Sequence, residues 1–112
     1  ANLAMLVNGN AIAFADVSLA AVVPPIGRAT VYLGVAFENA GGGTAATDEI
    51  LLRPKGSTVA TPVIRMAPGA ILAQKQKQNM LMFVDSAQTL QYQVSANNDS
   101  ADIAVVGYYD EL

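Results

Sequence analysis

Apolar and polar residues alternate along several short stretches of this 112-residue chain. Between Thr89 and Ser95, leucine, tyrosine and valine alternate with glutamine. When the pattern repeats every two residues, one set of side chains points toward a core and the other toward solvent, as in a β-strand with one buried face. The segment Ala29–Phe37 has the same period, with valine, leucine and phenylalanine on one face and smaller residues with Tyr32 on the other. We therefore expect a sheet protein.

The last part of the chain predicts a pair of strands. The alternating segment is followed by the polar run Asn97–Ser100, which is rich in turn-forming residues. The segment Asp102–Tyr109 comes next, and it is apolar and rich in β-branched residues, as expected of a strand buried on both faces. Because a connection of this length is typical of hairpins, we predict a C-terminal hairpin around which the rest of the chain packs.

Turn signals separate the other apolar segments. Asn8–Asn10 contains Asn-Gly, a strong signal for a tight hairpin between the segments on either side of it. The segment Val17–Val23 is compatible with a short helix or with a strand. A strand is favoured because Pro24 and Pro25 leave too few residues for a stable helix. Further strands are predicted at Leu3–Val7, Ala11–Ala15, Ala29–Phe37, Asp48–Arg53, Val59–Met66 and Met80–Val84.

These segments predict an all-β fold, an antiparallel β-sandwich or jelly-roll-like barrel of about eight short strands. Antiparallel pairing is expected because turns, and not helical crossovers, separate the strands. The glycine run Gly41–Gly43 predicts an exposed loop. The length fits a single domain, residues 1–112, in which residues 1–23 form either an N-terminal arm or added strands.

The chain is poor in charge for its size. Charged residues make up 13% of it and hydrophobic residues 53%, whereas about a quarter of an ordinary soluble domain is charged. A domain this small exposes much of its surface, so the deficit predicts that part of the surface is covered in an obligate oligomer or a large assembly. The alternative is a monomer whose surface is made of Ala, Gly, Ser, Thr, Asn and Gln.

Composition also excludes several function classes. A net charge of −3 with six scattered basic residues argues against nucleic-acid binding. The chain has no cysteine and no histidine, which removes thiolate chemistry, zinc-thiolate sites and the usual general base. No segment reaches the ~18 apolar residues of a membrane-spanning helix, so no membrane partner is expected. The N-terminus lacks a basic signal-peptide region, and we expect a protein made in the cytoplasm.

The acidic residues do not form a recognisable catalytic or metal motif. Asp48-Glu49 and Asp110-Glu111 are adjacent pairs, and neighbours in a strand point to opposite faces. Asp99 and Asp102 offer oxygen ligands, but the glycine and the terminal glutamate of a calcium loop are missing. We therefore predict no catalytic, cofactor-binding or metal-binding residues. The pair Tyr108-Tyr109 places one ring on each face, and an outward tyrosine suits a subunit contact, a sugar platform or simple packing.

The closing segment Asp102–Tyr109 resembles the C-terminus of many small tailed-phage virion proteins, in which a last strand runs into a Gly-Tyr-Tyr or Gly-Tyr-Phe end. The segment Val31–Val35, the turn Pro54–Gly56 and the loop Asn97–Ser100 fall where such β-sandwich modules have their counterparts. The resemblance covers Ala29 to Tyr109. The chain departs from it at the N-terminus, which is longer and more apolar than such a module needs, and this suits an arm or an added strand that pairs with a neighbour.

The resemblance implies a non-enzymatic structural protein of the virion, either a capsid decoration (cement) protein or a small fibre component, usually trimeric. Its partners would be further copies of itself and the major capsid protein. Two alternatives remain: a carbohydrate- or receptor-binding module of a head or tail fibre, and a small cupin-like enzyme, which the lack of histidine disfavours. The residues expected at the interface are Leu3, Met5, Val7, Tyr32, Tyr108 and Tyr109.

Overall fold

The computed structural model describes residues 3–25, 28–39, 48–66, 74–95 and 99–110. These residues form eight strands and no helix, which confirms the all-β prediction. The strands are β1 (Leu3–Gly9), β2 (Ala15–Ser18), β3 (Ala29–Asn39), β4 (Asp48–Pro54), β5 (Thr61–Met66), β6 (Gln74–Val84), β7 (Thr89–Val94) and β8 (Asp99–Asp110). The predicted loop Gly41–Gly43 and residues 97 and 98 of the predicted loop Asn97–Ser100 lie outside the described residues, whereas Asp99 and Ser100 belong to β8 and not to a loop.

The strands form two antiparallel sheets with the topology of a jelly roll. The front sheet has the order β1-β8-β3-β6 and the back sheet the order β2-β7-β4-β5. Strand β1 pairs with β8, β2 with β7, β3 with β6 and β4 with β5. The chain is therefore a long antiparallel ribbon rolled into two packed sheets, the arrangement that defines a jelly roll.

The inner faces of the two sheets form one apolar core. In β3 the predicted inward set is buried, and the next residue in each case is more exposed. In β7, Leu90, Tyr92 and Val94 are buried as predicted. The largest fully buried side chains come from both sheets: Phe37, Leu33 and Ile103 from the front sheet, and Ile50, Leu52 and Leu90 from the back sheet.

Neither predicted hairpin forms. Strand β1 pairs with β8 of the front sheet and β2 with β7 of the back sheet, so residues 10–14 cross from one sheet to the other. Asn8 does take a left-handed conformation, with φ of 54°, but its N–H donates to Asp102 Oδ1 at 2.8 Å and not to a hairpin partner. Strands β7 and β8 likewise belong to different sheets. Turn-forming residues mark a change of direction, and they do not specify which strand lies next.

The predicted strand Ala11–Ala15 does not form, since residues 11–14 belong to no strand. Among the strands that do form, β2 and β6 differ most in extent from the prediction. Strand β2 covers four residues, and the chain then turns, with the N–H of Val23 donating to the carbonyl oxygen of Leu19 at 2.8 Å. Strand β6 begins at Gln74 and so includes the polar run before Met80. The sequence gives no strand signal over this polar run, because it contains no apolar residues that could alternate with the polar ones. Strand β5, which contains Pro62, lies at a sheet edge, where the missing N–H of a proline is tolerated.

The prediction that β8 is buried on both faces is wrong. Ala101, Ile103 and Val105 face the core and are buried, while the residues between them are half-buried and Val106 is exposed. Strand β8 is central in its sheet, but no second layer of the described chain lies on the outer side of that sheet. The apolar composition of its outer face therefore has another cause.

Tyr92 joins the two sheets at one end of the core. Its ring is buried, and its hydroxyl accepts a hydrogen bond from the N–H of Ala11 at 3.1 Å. Gly9 of the front sheet lies directly against it, because a Cβ atom there would stand 2.7 Å from the Tyr92 hydroxyl and 2.6 Å from Leu6 Cδ2. Only glycine allows this close approach between the end of β1 and the tyrosine ring.

We predict that Tyr92→Phe lowers the free energy of unfolding by about 1 kcal/mol, because the Ala11 N–H loses its partner in a part-buried place. Denaturant unfolding measures the change. Tyr109→Phe is the matched control, since that ring is exposed, and it should leave the midpoint unchanged. Equal effects of the two substitutions would refute the role given to the Tyr92 hydroxyl.

Candidate assembly surface

The outer face of the back sheet is occupied by polar side chains that bind one another. Asp16, Gln91 and Arg53 lie side by side on three neighbouring strands. Asp16 accepts from Gln91 Nε2 at 2.9 Å and from Lys55 Nζ at 2.5 Å, and Gln91 Oε1 accepts from Arg53 Nε at 2.8 Å. The Arg53 guanidinium also stacks over Phe14, 3.7 Å from the ring centre. Such a network of polar and charged side chains is typical of a solvent-exposed face.

The hydrogen bond from Lys55, followed by the one from Gln91, lowers the pKa of Asp16 below the ordinary aspartate value. A carboxyl group whose pKa is lower in the folded state stabilises the fold above its unfolded pKa. The contribution is lost as the pH falls through the folded value. Since Asp16 is exposed, salt screens the contribution.

We predict that Asp16→Asn slightly lowers the melting temperature at neutral pH, because the substitution removes the charge that Lys55 binds. The difference from wild type should shrink as the pH falls below the ordinary aspartate range, and also in high salt. Thermal melts across pH measure it. In a Lys55→Gln background the same substitution should have a smaller effect, and a pH-independent difference would contradict the assignment.

The outer face of the front sheet is different, because one end of it is apolar and aromatic. The register of β8, β3 and β6 places Tyr109, Thr30 and Phe83 in one cross-strand row. The next row holds Gly107, Tyr32 and Leu81. We call the exposed apolar side chains at this end the apolar patch, and its members are Tyr32, Leu81, Phe83, Val106 and Tyr109.

A β-bulge in β8 brings one more apolar side chain to this face. The register between β3 and β8 shifts between Tyr32 and Leu33, so Val106 is the extra residue. A Cβ atom on Gly34 would stand 3.7 Å from Val106 Cγ2, which places that valine on the outer face. Beside it lies a groove of about 430 Å³, lined by Tyr32, Leu81, Val106, Gly107, Tyr108 and Tyr109.

The apolar patch is large for the surface of a small monomer. Tyr109 is 70% exposed, Leu81 58% and Phe83 49%. Together with Tyr32 and Val106, these side chains expose on the order of 500 Å², near the upper end of the range for the largest apolar patch of an ordinary monomer. The guanidinium of Arg28 lies 4.0 Å from the centre of the Phe83 ring and borders the patch.

The opposite end of the same face is charged and hydrogen-bonded. Asp102 accepts from the N–H of Asn8 at 2.8 Å, and its other oxygen lies 3.6 Å from Lys75 Nζ. Ser100 Oγ donates to Asn8 Oδ1 at 3.1 Å. Glu38 and Lys75 are cross-strand neighbours at this end. The face therefore has an apolar half and a polar half, like the centre and the rim of a protein interface.

The six residues expected at an interface fall in two places. Tyr32, Tyr108 and Tyr109 meet in the groove of the apolar patch. Leu3 and Val7 are exposed on the edge strand β1, whereas Met5 is half-buried and packs against the core. Strand β1 pairs with β8 of its own chain, so in this structure residues 3–9 are part of the sandwich.

Leu81, Phe83 and Val106 are members of the patch that the sequence analysis missed. Met80–Val84 is a continuous apolar run, which is typical of a strand buried on both faces. In the structure only Met82 and Val84 of this run are buried, while Leu81 and Phe83 point outward. The edge position of β6 was not predictable from the run itself, because a strand's place in a sheet depends on distant partners.

The acidic residues considered for chemistry do not converge. Asp48 is buried while its neighbour Glu49 is on the outer face, where it accepts from Arg65 Nε at 2.7 Å. Asp99 is buried on the inner side of β8, whereas Asp102 lies on the outer side, so the two cannot hold one calcium ion. Within the described residues no three acidic side chains come together as metal ligands. The pair Asp110-Glu111 lies at the limit of that part of the chain.

No protein-family model matches the chain, and no curated protein is detectably similar to it. The part of the chain that the structure describes contains no helix long and apolar enough to cross a membrane.

Proposed function

We propose that this chain is a non-enzymatic structural protein of a phage virion, a capsid decoration or cement protein that self-associates and bridges neighbouring capsid subunits. The observation that carries the proposal is the apolar patch on the outer face of the front sheet. The back sheet covers its own outer face with hydrogen-bonded polar groups, as between Asp16 and Gln91. The front sheet exposes Tyr109, Leu81 and Phe83 instead. A partner that covers this patch accounts for both the patch and the low charge.

The area of the patch fits a protein that acts in several copies. Burying about 500 Å² of apolar surface contributes at most roughly 13 kcal/mol. Association itself costs about 4–15 kcal/mol, so a single contact of this size gives weak binding. Two linked contacts, one to a sister copy and one to the shell, convert weak contacts into a stable attachment. Bound partners stabilise the assembled shell by mass action.

The sequence resemblance and the residue chemistry support the same proposal. The segment of resemblance ends in β8, whose Gly107, Tyr108 and Tyr109 line the groove. The chain contains no histidine or cysteine, and the acidic neighbours Asp48 and Glu49 point to opposite faces. Jelly rolls occur in viral capsid proteins, in lectins and in cupin enzymes, so the fold alone does not choose among these functions.

A carbohydrate-binding module of a head or tail fibre is the second candidate. It is favoured by one observation, the meeting of Tyr32, Tyr108 and Tyr109 in a single groove of about 430 Å³. Tyrosine rings provide apolar faces on which sugar rings can pack. Among the described residues, the groove lining contains no carboxylate, amide or guanidinium group to bind sugar hydroxyls. We therefore place this function second.

We predict that Tyr109→Ser weakens binding to capsids of the phage that encodes the chain by about tenfold or more, because an exposed aromatic anchor is lost. Co-sedimentation with capsids that lack the protein measures the affinity. Val59→Ser is the matched control, since Val59 is 73% exposed and lies outside the patch. It should bind as wild type does.

Wild type and Tyr109→Ser, tested on a glycan array, separate the two candidate functions. A structural protein of the capsid should bind capsids and leave the array unlabelled. Array binding that Tyr109→Ser abolishes, together with no affinity of wild type for capsids, would replace the first function with the second. Failure of wild type to bind capsids at all would contradict the decoration function.

A further inference from the structure

The two sheets have four edge strands, and three of them carry features that oppose pairing with another strand. Strand β2 is four residues long. Strand β5 contains Pro62, and its pairing with β4 is irregular at Ile50 and Leu51. Strand β1 has two irregularities and the left-handed residue Asn8. Short length, proline and bulges are the usual means of protecting sheet edges.

The fourth edge strand, β6, is long and regular. Its eleven residues pair with β3 without a register shift. Lys75 and Lys77 protect its first half with charge. Its second half, Met80–Val84, has no charged residue, no proline and no bulge. In the described chain this half has no neighbouring strand on the side away from β3, so every second residue presents a backbone N–H and C=O outward.

We propose that Met80–Val84 is a strand-pairing site for a second copy of this chain, and that the two copies join antiparallel around a two-fold axis near Met82. The pairing rests on the self-association proposed above and gives it a geometry. It joins the two front sheets into one continuous sheet. Leu81 of each copy then lies opposite Phe83 of the other, on the outer face.

The positions of the charged residues in β6 favour a second copy of the chain as the partner and antiparallel as the direction of pairing. A parallel, in-register copy would set Lys75 against Lys75 and Lys77 against Lys77, which is unfavourable. The antiparallel pair sets apolar side chains against apolar side chains and carries both lysines past the end of the partner's β6. The segment is thus self-complementary, which a two-fold interface requires. Because both lysines lie outside the paired segment, the partner strand does not need acidic residues to neutralise them.

The protected edges explain why association stops at a pair. Once the two β6 strands have joined, the outermost strand on each side is β1, whose irregular register opposes further pairing. The two apolar patches become neighbours on one face of the joined sheet. Their combined surface, on the order of 1,000 Å², exceeds what an ordinary soluble protein leaves exposed, and it is the surface offered to the capsid.

Charge reversal across the axis tests the pairing. Leu81→Lys with Phe83→Lys in one chain, and Leu81→Glu with Phe83→Glu in another, place like charges opposite each other in each homodimer. These side chains point outward, so the fold should be preserved, which circular dichroism checks. We expect wild type to have the mass of two copies in sedimentation equilibrium, and each double variant to dissociate about a hundredfold more readily.

Mixing the two double variants should restore the dimer, because each lysine then faces a glutamate. Val59→Lys, also on an exposed apolar residue, is the matched control and should dimerise as wild type does. A wild-type monomer, a trimer, unaffected double variants or a mixture that stays monomeric would each overturn the inference.

Capsid co-sedimentation separates this inference from the function on which it rests. A wild-type monomer or trimer that still binds capsids overturns the β6 pairing and leaves the decoration function in place. A dimer that behaves as predicted in the charge-reversal series but has no affinity for capsids supports the pairing and contradicts the function.

Discussion

The structure depends on the packing of two sheets through their inner faces. Phe37, Leu33 and Ile103 of the front sheet and Leu52 and Leu90 of the back sheet are fully buried in one core. This packing gives every strand one buried face, and it accounts for the period-two alternation along the chain. It also leaves each sheet with an outer face that nothing in the described chain covers, so the chemistry of the two outer faces carries the functional information.

The two outer faces differ in their chemistry. On the back sheet, Asp16, Gln91 and Arg53 bind one another and remain hydrated, which costs little and keeps that side soluble. On the front sheet, Tyr109 and Leu81 expose apolar surface in a chain with few charges to offset it. A monomer gains nothing from such exposure. The asymmetry is explained if one sheet faces water and the other faces sister copies or a shell.

Local features of the fold were predictable from the sequence, and long-range pairing was not. The alternation of Ala29–Phe37 identified its buried set because burial alternates within a single strand. The turn at Pro54–Gly56 was predicted, and Ser57 closes it by donating to the carbonyl oxygen of Pro54 at 3.1 Å. The hairpin around Asn8 was wrong because a jelly roll pairs the two ends of the chain, and that choice is made by the whole core. The edge position of β6 was missed for the same reason, and with it Leu81 and Phe83.

Hydroxyl-radical footprinting across a dilution series tests most directly whether the front sheet is the covered one. In the associated state the account predicts protection of Leu81 and Phe83 relative to the dilute protein, while Leu51 and Val63 of the back sheet react equally in both states. Equal reactivity of the front-sheet side chains at all concentrations, or protection confined to the back sheet, would contradict it.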